Sequence, residues 1–244
     1  MVRFDAGKSS STGLPVSGEL GPRLAVTAEL AAVTILIVTT FGVVLGGMAA
    51  SSRSGIVDLA VRGLALLALS APAFWIGLMA IIAIAAWTGV FIAGSYQPIT
   101  QDIVANLRVV VPAAVVLAIR PMAILIRVVR TSVSEALAQE FSRAARARGL
   151  GEQAVLWRHA LRAAAAPIIT VIGVEAVFLL GGAVLVEQLF SLPGIGRALV
   201  AGVVERDYPL TQAVVMLMGV VAIALNFALD MLYVKLDPRV RLST

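Results

Sequence analysis

The sequence has no cysteine and a single histidine, His159. The absence of cysteine excludes disulfides and thiolate metal sites, and one histidine alone argues against a histidine-based metal centre or a Ser-His-Asp triad. Charged residues are also scarce, at 14% of the chain, whereas hydrophobic residues make up 60%. An ordinary soluble domain is about 25% charged and about 45–50% apolar. So much apolar surface cannot be hidden in one soluble core of 244 residues, and lipid is expected to be its main solvent.

Residues 1–23 lack the apolar run that a signal peptide requires. Serine, glycine and proline recur in this stretch, which predicts an extended polar lead-in. Gly7-Lys8-Ser9 matches the end of a phosphate-binding loop, but Val2 stands where that loop requires glycine. Nucleotide binding by this segment is therefore not expected.

Five stretches are long and apolar enough to cross the hydrocarbon core as helices of about 20 residues. They cover residues 24–48, 61–91, 105–129, 167–190 and 209–234. Pro72 interrupts the second stretch, and Pro112 and Pro121 interrupt the third. Because proline is tolerated in membrane helices when neighbouring groups or water bind the freed carbonyls, these prolines predict kinks rather than breaks. The sequence predicts an all-α polytopic membrane protein with about five transmembrane helices in one domain, residues 24–244.

The basic residues in the loops and near the ends of the predicted spans are divided unevenly between the two sides of the membrane. Twelve lie on the side that holds the loop between the third and fourth spans, and six lie on the other side. Because basic loops stay in the cytoplasm, the predicted C-terminus is cytoplasmic and the predicted N-terminus is external. Topology and anionic lipid then account for the net charge of +5, and no nucleic-acid partner is expected. The twelve are Arg53, Arg62, Arg127, Arg130, Arg143, Arg146, Arg148, Arg158, Arg162, Lys235, Arg239 and Arg241, and the six are Arg3, Lys8, Arg23, Arg108, Arg197 and Arg206.

The loop between the third and fourth predicted spans, residues 131–166, is long and polar on one face. Alanine and arginine predict a helix over residues 141–148, and Gly149 supplies the left-handed residue that ends it. A second helix is predicted from Glu152 through Trp157 to Ala164, which gives a helix–turn–helix hairpin. An amphipathic helix lying on the bilayer is the competing interpretation of the same pattern. One helical face of the first arm is suited to contact with another protein, and it carries Phe141, Ala144, Ala145 and Arg148.

Five motifs in this sequence resemble the permeases of ABC importers. The run RAARARG at residues 143–149 resembles the EAA loop of those permeases, with two alanines followed four positions later by glycine. The remaining motifs are similar to the dipeptide and oligopeptide branch: RHALRAA at 158–164, EQLFSLPGIGRAL at 187–199, RDYPL at 206–210 and LYVKLDPRVR at 232–241. The lead-in, with STGLPV at 11–16 and VTAEL at 26–30, resembles the stretch before the second membrane helix of full-length members. The chain therefore resembles the first permease of such a pair, beginning after the family's first membrane helix.

The hairpin departs from the general EAA pattern at both of its ends. Arg143 stands where that pattern opens with glutamate. Leu161 and Arg162 stand where it ends in leucine–proline. Both variants resemble the peptide branch, so they indicate that subfamily among the importer permeases.

The resemblance implies the type I ABC importer permease fold and a location in the bacterial cytoplasmic membrane. A second, homologous permease would complete the pathway, and an external binding protein would deliver a di- or oligopeptide. Two ATPase subunits would dock on the cytoplasmic hairpins and bind ATP and Mg, so this chain itself would be neither an enzyme nor a cofactor-binding subunit. The residues to which the resemblance gives an ATPase-coupling role are Arg143, Ala144, Ala145, Gly149, Leu150, Trp157, His159 and Leu161.

Two ionisable residues fall at matching depths within the predicted spans. At about 1.5 Å per residue, Arg120 lies about 13 Å from the inner end of the third span and Glu175 about 12 Å from that of the fourth. Charges at such depth are costly unless they are paired or in water. The prediction is an ion pair between the two helices, with a role in lining the translocation path as the alternative. Glu187, which lies nearer the end of its span, is expected to reach interfacial water.

The segment after the fourth span contains Leu192-Pro193-Gly194. Proline followed by glycine is typical of a turn. Pro193 and Gly194 are therefore predicted to form an external re-entrant turn that could contact the binding protein.

Two other classes of protein compete with the importer subunit. A secondary transporter or channel that works without ATP would need the buried charges as a coupling site, and it leaves the long hairpin unexplained. A membrane-embedded enzyme would need a catalytic set, and the sequence has no paired histidines, HExxH or GxSxG. Within the importer family, nickel chelates and glutathione are alternative substrates to peptides.

Overall fold

The computed structural model describes residues 7–52, 59, 63 and 66–236, and the side-chain surroundings of all of these except 233–236. Within these residues the chain is helical, and its only β pairing is an isolated bridge between Lys8 and Pro15. The elements in chain order are α1 (Val16–Ser51), α2 (Ala73–Thr88), α3 (Ile103–Ala138), α4 (Glu140–Ala147), α5 (Glu152–Ala154), a π-helical segment (Val155–Ala160), α6 (Leu161–Ala163), α7 (Ala165–Phe190), α8 (Ile195–Val204) and α9 (Tyr208–Leu236).

Four of these helices, α1, α3, α7 and α9, are long and apolar enough to cross a membrane. The best windows in them have a mean hydropathy of 2.2 to 2.4. These helices confirm the first, third, fourth and fifth predicted spans and the all-α membrane fold. Pro112 and Pro121 lie inside the uninterrupted helix α3, as predicted.

The second predicted span is wrong in one respect, because Pro72 breaks the helix instead of bending it. Residues 66–70 are helical, the helix ends before Pro72, and α2 begins at Ala73. Proline disfavours a helical conformation in the residue before it and is well suited to a helix start, so Pro72 divides the stretch. Gly89, with φ of +70°, then ends α2 in the left-handed conformation. Most of residues 53–65, including Arg53 and Arg62 of the topology count, lie outside the described residues, as do Arg3, Arg239 and Arg241.

The chain forms two compact units, and each is assembled from segments that are distant in sequence. The first unit contains Met1–Thr34, Pro72–Leu117 and Ala176–Leu225, and the second contains Ile35–Ala71, Ala118–Glu175 and Asn226–Thr244. A core of the first unit joins the start of α1 to α8 and α9 through Val16, Ile195, Ala198, Leu210 and Val214. The core of the second unit joins α1, α3, the hairpin and α7, with Val38, Leu125, Val129, Val133, Leu156 and Ile168 among its members.

Glycines allow the helices of the second unit to pack closely. A Cβ atom at Gly46 would lie 2.7 Å from Val129 Cβ and 2.8 Å from the Ile126 carbonyl oxygen. Gly42 faces the Leu125 side chain in the same way. Close backbone approach at small residues is the usual basis of helix association in lipid.

The start of α1 corrects the predicted lead-in. The helix begins at Val16 instead of residue 24, and residues 7–15 form a folded turn instead of an extended segment. Burial of the Val16 side chain in the core of the first unit supplies the physical reason, because it fixes the first helical residue against α8 and α9.

Hydrogen bonds to Asp207 hold this N-terminal turn in place. The buried Ser9 hydroxyl donates to Asp207 Oδ2 at 2.5 Å, and the Ser11 hydroxyl donates to the same oxygen at 3.2 Å. The backbone N–H of Leu210 donates to Oδ1 at 3.1 Å. The bond from Ser9, followed by backbone donors, holds the pKa of Asp207 well below its usual range. The turn is therefore fastened to the connection between α8 and α9.

Candidate functional site

The predicted hairpin is present, but it begins later in the chain than the sequence suggested. Helix α3 continues to Ala138, beyond the predicted end of the third span at residue 129, so the loop begins at Gln139. Val133 and Ala136 are buried in the core of the second unit, and this continued apolar stripe extends the helix. Gln139, with φ of −72° and ψ of 160°, then separates α3 from the first arm.

The first arm of the hairpin is α4, and it is anchored to the end of α3. Ser142 is buried, and its hydroxyl donates to the Ala136 carbonyl oxygen at 2.8 Å. Ala145, one turn later, is also buried. The predicted contact face is therefore divided, since Ala145 packs inside the chain whereas Phe141, Ala144 and Arg148 are exposed. The structure brings Ala145 into the anchor and leaves the other three at the surface.

The turn between the two arms confirms that Gly149 ends the first helix in the left-handed conformation. Its φ of +85° lies in the left-handed region, which favours glycine. The N–H of Gly149 donates to the Arg146 carbonyl oxygen at 2.9 Å, and the N–H of Leu150 donates to that of Ala145 at 3.3 Å. This pair of bonds is the Schellman motif that ends a helix. Leu150 follows with its side chain 38% exposed, so the turn presents an apolar residue at its surface.

A second fastening of the turn was missed from the sequence. Arg146 Nε donates to Glu152 Oε1 at 3.1 Å across the turn, and an Arg146 terminal nitrogen donates to the Leu137 carbonyl oxygen at 3.3 Å. The opposite charges six residues apart on either side of Gly149 were the available signal. Arg146 thus ties the first arm to the second arm and to the end of α3.

The second arm runs over Glu152–Ala163 as predicted, but its middle is π-helical, from Val155 to Ala160. Leu156 is buried and Leu161 packs against the same core. The Trp157 ring lies against Gly47 of α1, and its Nε1 donates to Gln153 Oε1 at 3.0 Å. His159 is exposed, as is Arg158. π-Helical turns are rare and often occur at functional sites.

Arg120 and Glu175, both among the described residues, interact electrostatically without forming a direct ion pair. Arg120 is exposed on α3, Glu175 is half-buried on α7, and their charges are close enough to influence each other. The described ion pairs with N–O distances within 4.0 Å do not include these two residues. The predicted clamp between the helices therefore stays a prediction.

Pro193 and Gly194 lie in the turn between α7 and α8, and Glu187 determines how that turn is built. Gly194 is buried, and a Cβ atom there would overlap the Glu187 carboxylate. Pro193 is exposed and lines a cavity in the first unit. The structure thus supports a turn at the predicted place, and its side of the membrane stays a prediction.

The sequence predicted that Glu187 reaches interfacial water, and this prediction is wrong. The Glu187 side chain is fully buried. Its carboxylate accepts from the Thr27 hydroxyl at 2.6 Å and from the Arg197 backbone N–H at 2.9 Å. The Thr27 hydroxyl oxygen also accepts from the Ile195 backbone N–H at 2.9 Å. The first N–H groups of a helix have no partner within the helix, so Thr27 and Glu187 together cap α8.

A set of apolar spans with a folded hairpin between two of them is the architecture of a transporter's membrane subunit. The chain belongs to the family of binding-protein-dependent transport system inner membrane components, whose family model matches residues 42–242. It is thus an inner-membrane permease subunit of an ABC importer, a class that works with an ATPase and a substrate-binding protein.

Curated relatives match nearly the whole chain. The dipeptide transport system permease protein DppB of Escherichia coli K12 is 34% identical over 264 aligned positions, which cover 99% of this chain and 78% of that protein. A Brucella abortus protein named as a peptide transport system permease is 36% identical over 241 residues, or 99% of this chain and 77% of that protein.

A solved structure matches the fold. A chain in the crystal structure of an amino acid ABC transporter with histidines superposes with a TM-score of 0.64, covering 90% of this chain and 94% of that chain. At 15% identity this likeness concerns the fold alone.

Proposed function

We propose that this chain moves di- and oligopeptides into the cell by alternating access, together with a second, homologous permease. Two separate ATPase subunits bind ATP and Mg and dock on the cytoplasmic hairpins, and an external binding protein delivers the peptide. Closure of the ATPases pushes the hairpins and switches the pathway between outward-facing and inward-facing states. The names of the relatives at 34–36% identity support the peptide substrate.

The construction of the hairpin is the observation that carries the docking proposal. Ser142 and Ala145 anchor the first arm, and Arg146 bridges to the second arm. A hairpin anchored in this way can transmit a displacement from the ATPase to the membrane helices, because its two arms move together. The outer surface combines exposed apolar groups with positive charge, and it consists of Phe141, Arg143, Ala144, Arg148, Leu150 and His159. Apolar anchors with a charged rim are typical of protein interfaces.

The orientation belongs to the same proposal. Docking of an ATPase requires the hairpin to lie in the cytoplasm, which agrees with the uneven division of basic residues. The turn at Pro193 and the N-terminal turn at residues 7–15 then face outside, where the binding protein approaches. Cysteine placed at Ser10 should react with an impermeant thiol reagent in spheroplasts, and cysteine at Ser243 should not.

Substitution of Leu150 tests the docking surface. Leu150→Asp places a charge in the apolar part of that surface, so ATPase co-purification and ATP-dependent peptide uptake in membrane vesicles should both fall about ten-fold or more. The matched control is Ala163→Asp, which makes the same change at an exposed position near the end of the second arm. Normal ATPase recovery and uptake with Leu150→Asp would contradict the proposal.

The same vesicles separate the competing functions. Uptake that continues without ATP and follows an ion gradient would favour the secondary transporter. Competition of labelled dipeptide by a nickel chelate or by glutathione, with weak competition by unlabelled dipeptides, would move the substrate to one of those ligands.

A further inference from the structure

A cavity of about 950 Å³ opens in the first unit. Its walls come from the start of α1, the segment before α3 and the start of α8. The volume is within the range of about 300–1,000 Å³ that is usual for small-molecule sites. Most of the wall is apolar, with Pro22, Val26, Pro98, Ile99, Pro193 and Ala201 among the lining residues. An organic ligand would therefore find both room and apolar contact.

Four charged side chains line this cavity, and three of them have a charge-assisted partner. Arg23 pairs with Glu19 at 3.0 Å, and Arg197 donates to the Ser191 carbonyl oxygen at 2.7 Å. The fourth is Glu29, whose single hydrogen bond from the part of the chain that the structure describes comes from the neutral Tyr96 hydroxyl, at 3.0 Å to Oε2. The other oxygen, Oε1, is shielded from solvent and accepts no hydrogen bond from the described residues.

This arrangement leaves the Glu29 carboxylate poorly satisfied. An ionised carboxylate has about four acceptor positions, and shielding an acceptor without a partner costs free energy. Tyr96 cannot supply the missing charge. Burial, the hydrogen bond to Glu29 and the charge of Glu29 raise the pKa of Tyr96 to about 12, so its hydroxyl stays protonated and serves as a donor.

We propose that this cavity binds the positively charged amino group of an organic ligand, with Glu29 as the anion that receives it and Tyr96 as the residue that positions Glu29. An ammonium group brings three N–H donors and a charge, which a carboxylate binds through short, strong hydrogen bonds. A metal ion fits less well, since calcium or magnesium needs about six oxygen ligands and no group of three metal-ligating side chains occurs in the described part of the chain.

The source of the amino group follows from the proposed function, on which this inference rests. The N-terminus of a peptide carries an ammonium group next to an apolar or polar side chain, and the apolar wall around Pro98 and Ile99 suits the adjoining residue. The cavity would therefore select peptides with a free N-terminus before they enter the pathway.

Titration of the assembled transporter in lipid nanodiscs, without the binding protein, tests this site. The probes are the dipeptide Ala-Phe, its N-acetyl derivative and sodium chloride, followed by calorimetry. Ala-Phe should bind the unmodified complex, and acetylation or Glu29→Gln should each weaken binding about ten-fold, because either change removes the charge-assisted contact. Glu29→Asp should retain most of the affinity, and Tyr96→Phe should give a smaller loss than Glu29→Gln.

The control variant is Glu205→Gln, which neutralises an exposed carboxylate outside the cavity and should bind Ala-Phe normally. Co-purification of the partner subunits shows that each variant assembles. Equal affinity for free and acetylated dipeptide, unchanged binding by Glu29→Gln, or binding of sodium instead of the dipeptide would each overturn the inference.

Peptide uptake by the same complexes distinguishes failure of this inference from failure of the proposed function. A complex that imports peptide but shows no Glu29-dependent binding overturns the cavity site alone. A complex that binds Ala-Phe through Glu29 but imports no peptide supports the site and contradicts peptide import.

Discussion

The two units of this chain differ in the buried polar side chains that they contain. Six of the seven buried polar or charged residues among the described positions lie in the first unit, which contains Ser9, Thr27, Thr34, Asn106, Glu187 and Asp207. Only Ser142 lies in the second. The helices of the second unit pack closely at glycines, where Gly42 and Gly46 of α1 face α3 and Gly173 faces Leu229.

The difference follows from where helices begin and end. The first unit contains the turns on both sides of α8, and the N–H groups at such turns have no helical partner. In a membrane protein these groups must be satisfied by other parts of the protein, and Glu187 and Asp207 supply the acceptors. The stretches of α1 and α3 in the second unit are continuous helix, so their backbone is already hydrogen-bonded and shape decides how these two helices pack against each other.

Of the substitutions that test this difference between the units, Glu187→Leu is expected to lower the stability of the complex most. It removes the acceptor of the Arg197 N–H and of the Thr27 hydroxyl in a buried site, which should cost about 3 kcal/mol of stability. Thermal unfolding of the purified complex in nanodiscs measures the loss. Gln188→Leu, at the exposed neighbouring position, is the control. Equal melting temperatures for the two variants would show that the first unit does not depend on this network.

Gly46→Ala should have the next largest effect, in the second unit. The new methyl group would meet Val129 Cβ and the Ile126 carbonyl oxygen, and overpacking of this kind costs about 1–3 kcal/mol. The control is Gly219→Ala in α9, where an added Cβ has no atom within 4 Å. Thermal unfolding of the complexes in nanodiscs again measures the loss. If the Gly46→Ala complex were as stable as the Gly219→Ala complex, close packing at Gly46 would not stabilise the second unit.

The Asp207 fastening should give a smaller effect that depends on pH. Because the folded-state pKa is lowered, its contribution is fully present above the unfolded value of about 4 and is lost as the pH falls below that value towards the folded pKa. Melting temperatures should therefore drop from pH 5 to pH 3. Ser9→Ala should reduce that drop, because it removes the hydrogen bond that contributes most to the lowered pKa of Asp207.

Ser10→Ala, which changes an exposed hydroxyl of the same turn, is the matched variant and should retain the full pH dependence. If Ser9→Ala and Ser10→Ala gave the same pH profile, the hydrogen bond from Ser9 would not be what fastens the turn.

The smallest effect is expected from Arg120 and Glu175, two opposite charges on α3 and α7 in the second unit. Without a direct ion pair and with Arg120 exposed, their coupling energy should be below about 1 kcal/mol. A double-mutant cycle with Arg120→Met and Glu175→Gln, scored for assembly and for peptide uptake, measures it. A double mutant much more stable than the two single losses predict would establish the ion pair. Normal assembly with lost uptake would favour a role in the translocation path.

Local signals in the sequence were sufficient for the helices and for the hairpin turn. Four apolar runs became membrane-spanning helices because their length and hydropathy leave no other way to satisfy the backbone in lipid. Gly149 has the left-handed conformation because a residue with a Cβ atom would be strained at this backbone conformation. At Pro72 the sequence indicated an interruption, but whether it bends or breaks a helix depends on the neighbouring helices that are available to bind the freed groups.

The sequence alone thus determined the membrane class, four of the five predicted spans and the two arms of the hairpin, since each depends on residues within a few turns of one another. Only the tertiary structure decided the environments of Glu187, Asp207, Ala145 and Glu29. Thr27 and Glu187 are separated by 160 positions, and Ser9 and Asp207 by 198, so no local pattern relates them. The sequence around a carboxylate near the end of a span does not distinguish a side chain that is hydrated from one that caps the start of another helix. The environment of the carboxylate depends on its hydrogen-bonding partner, and folding brings that partner from a distant part of the chain.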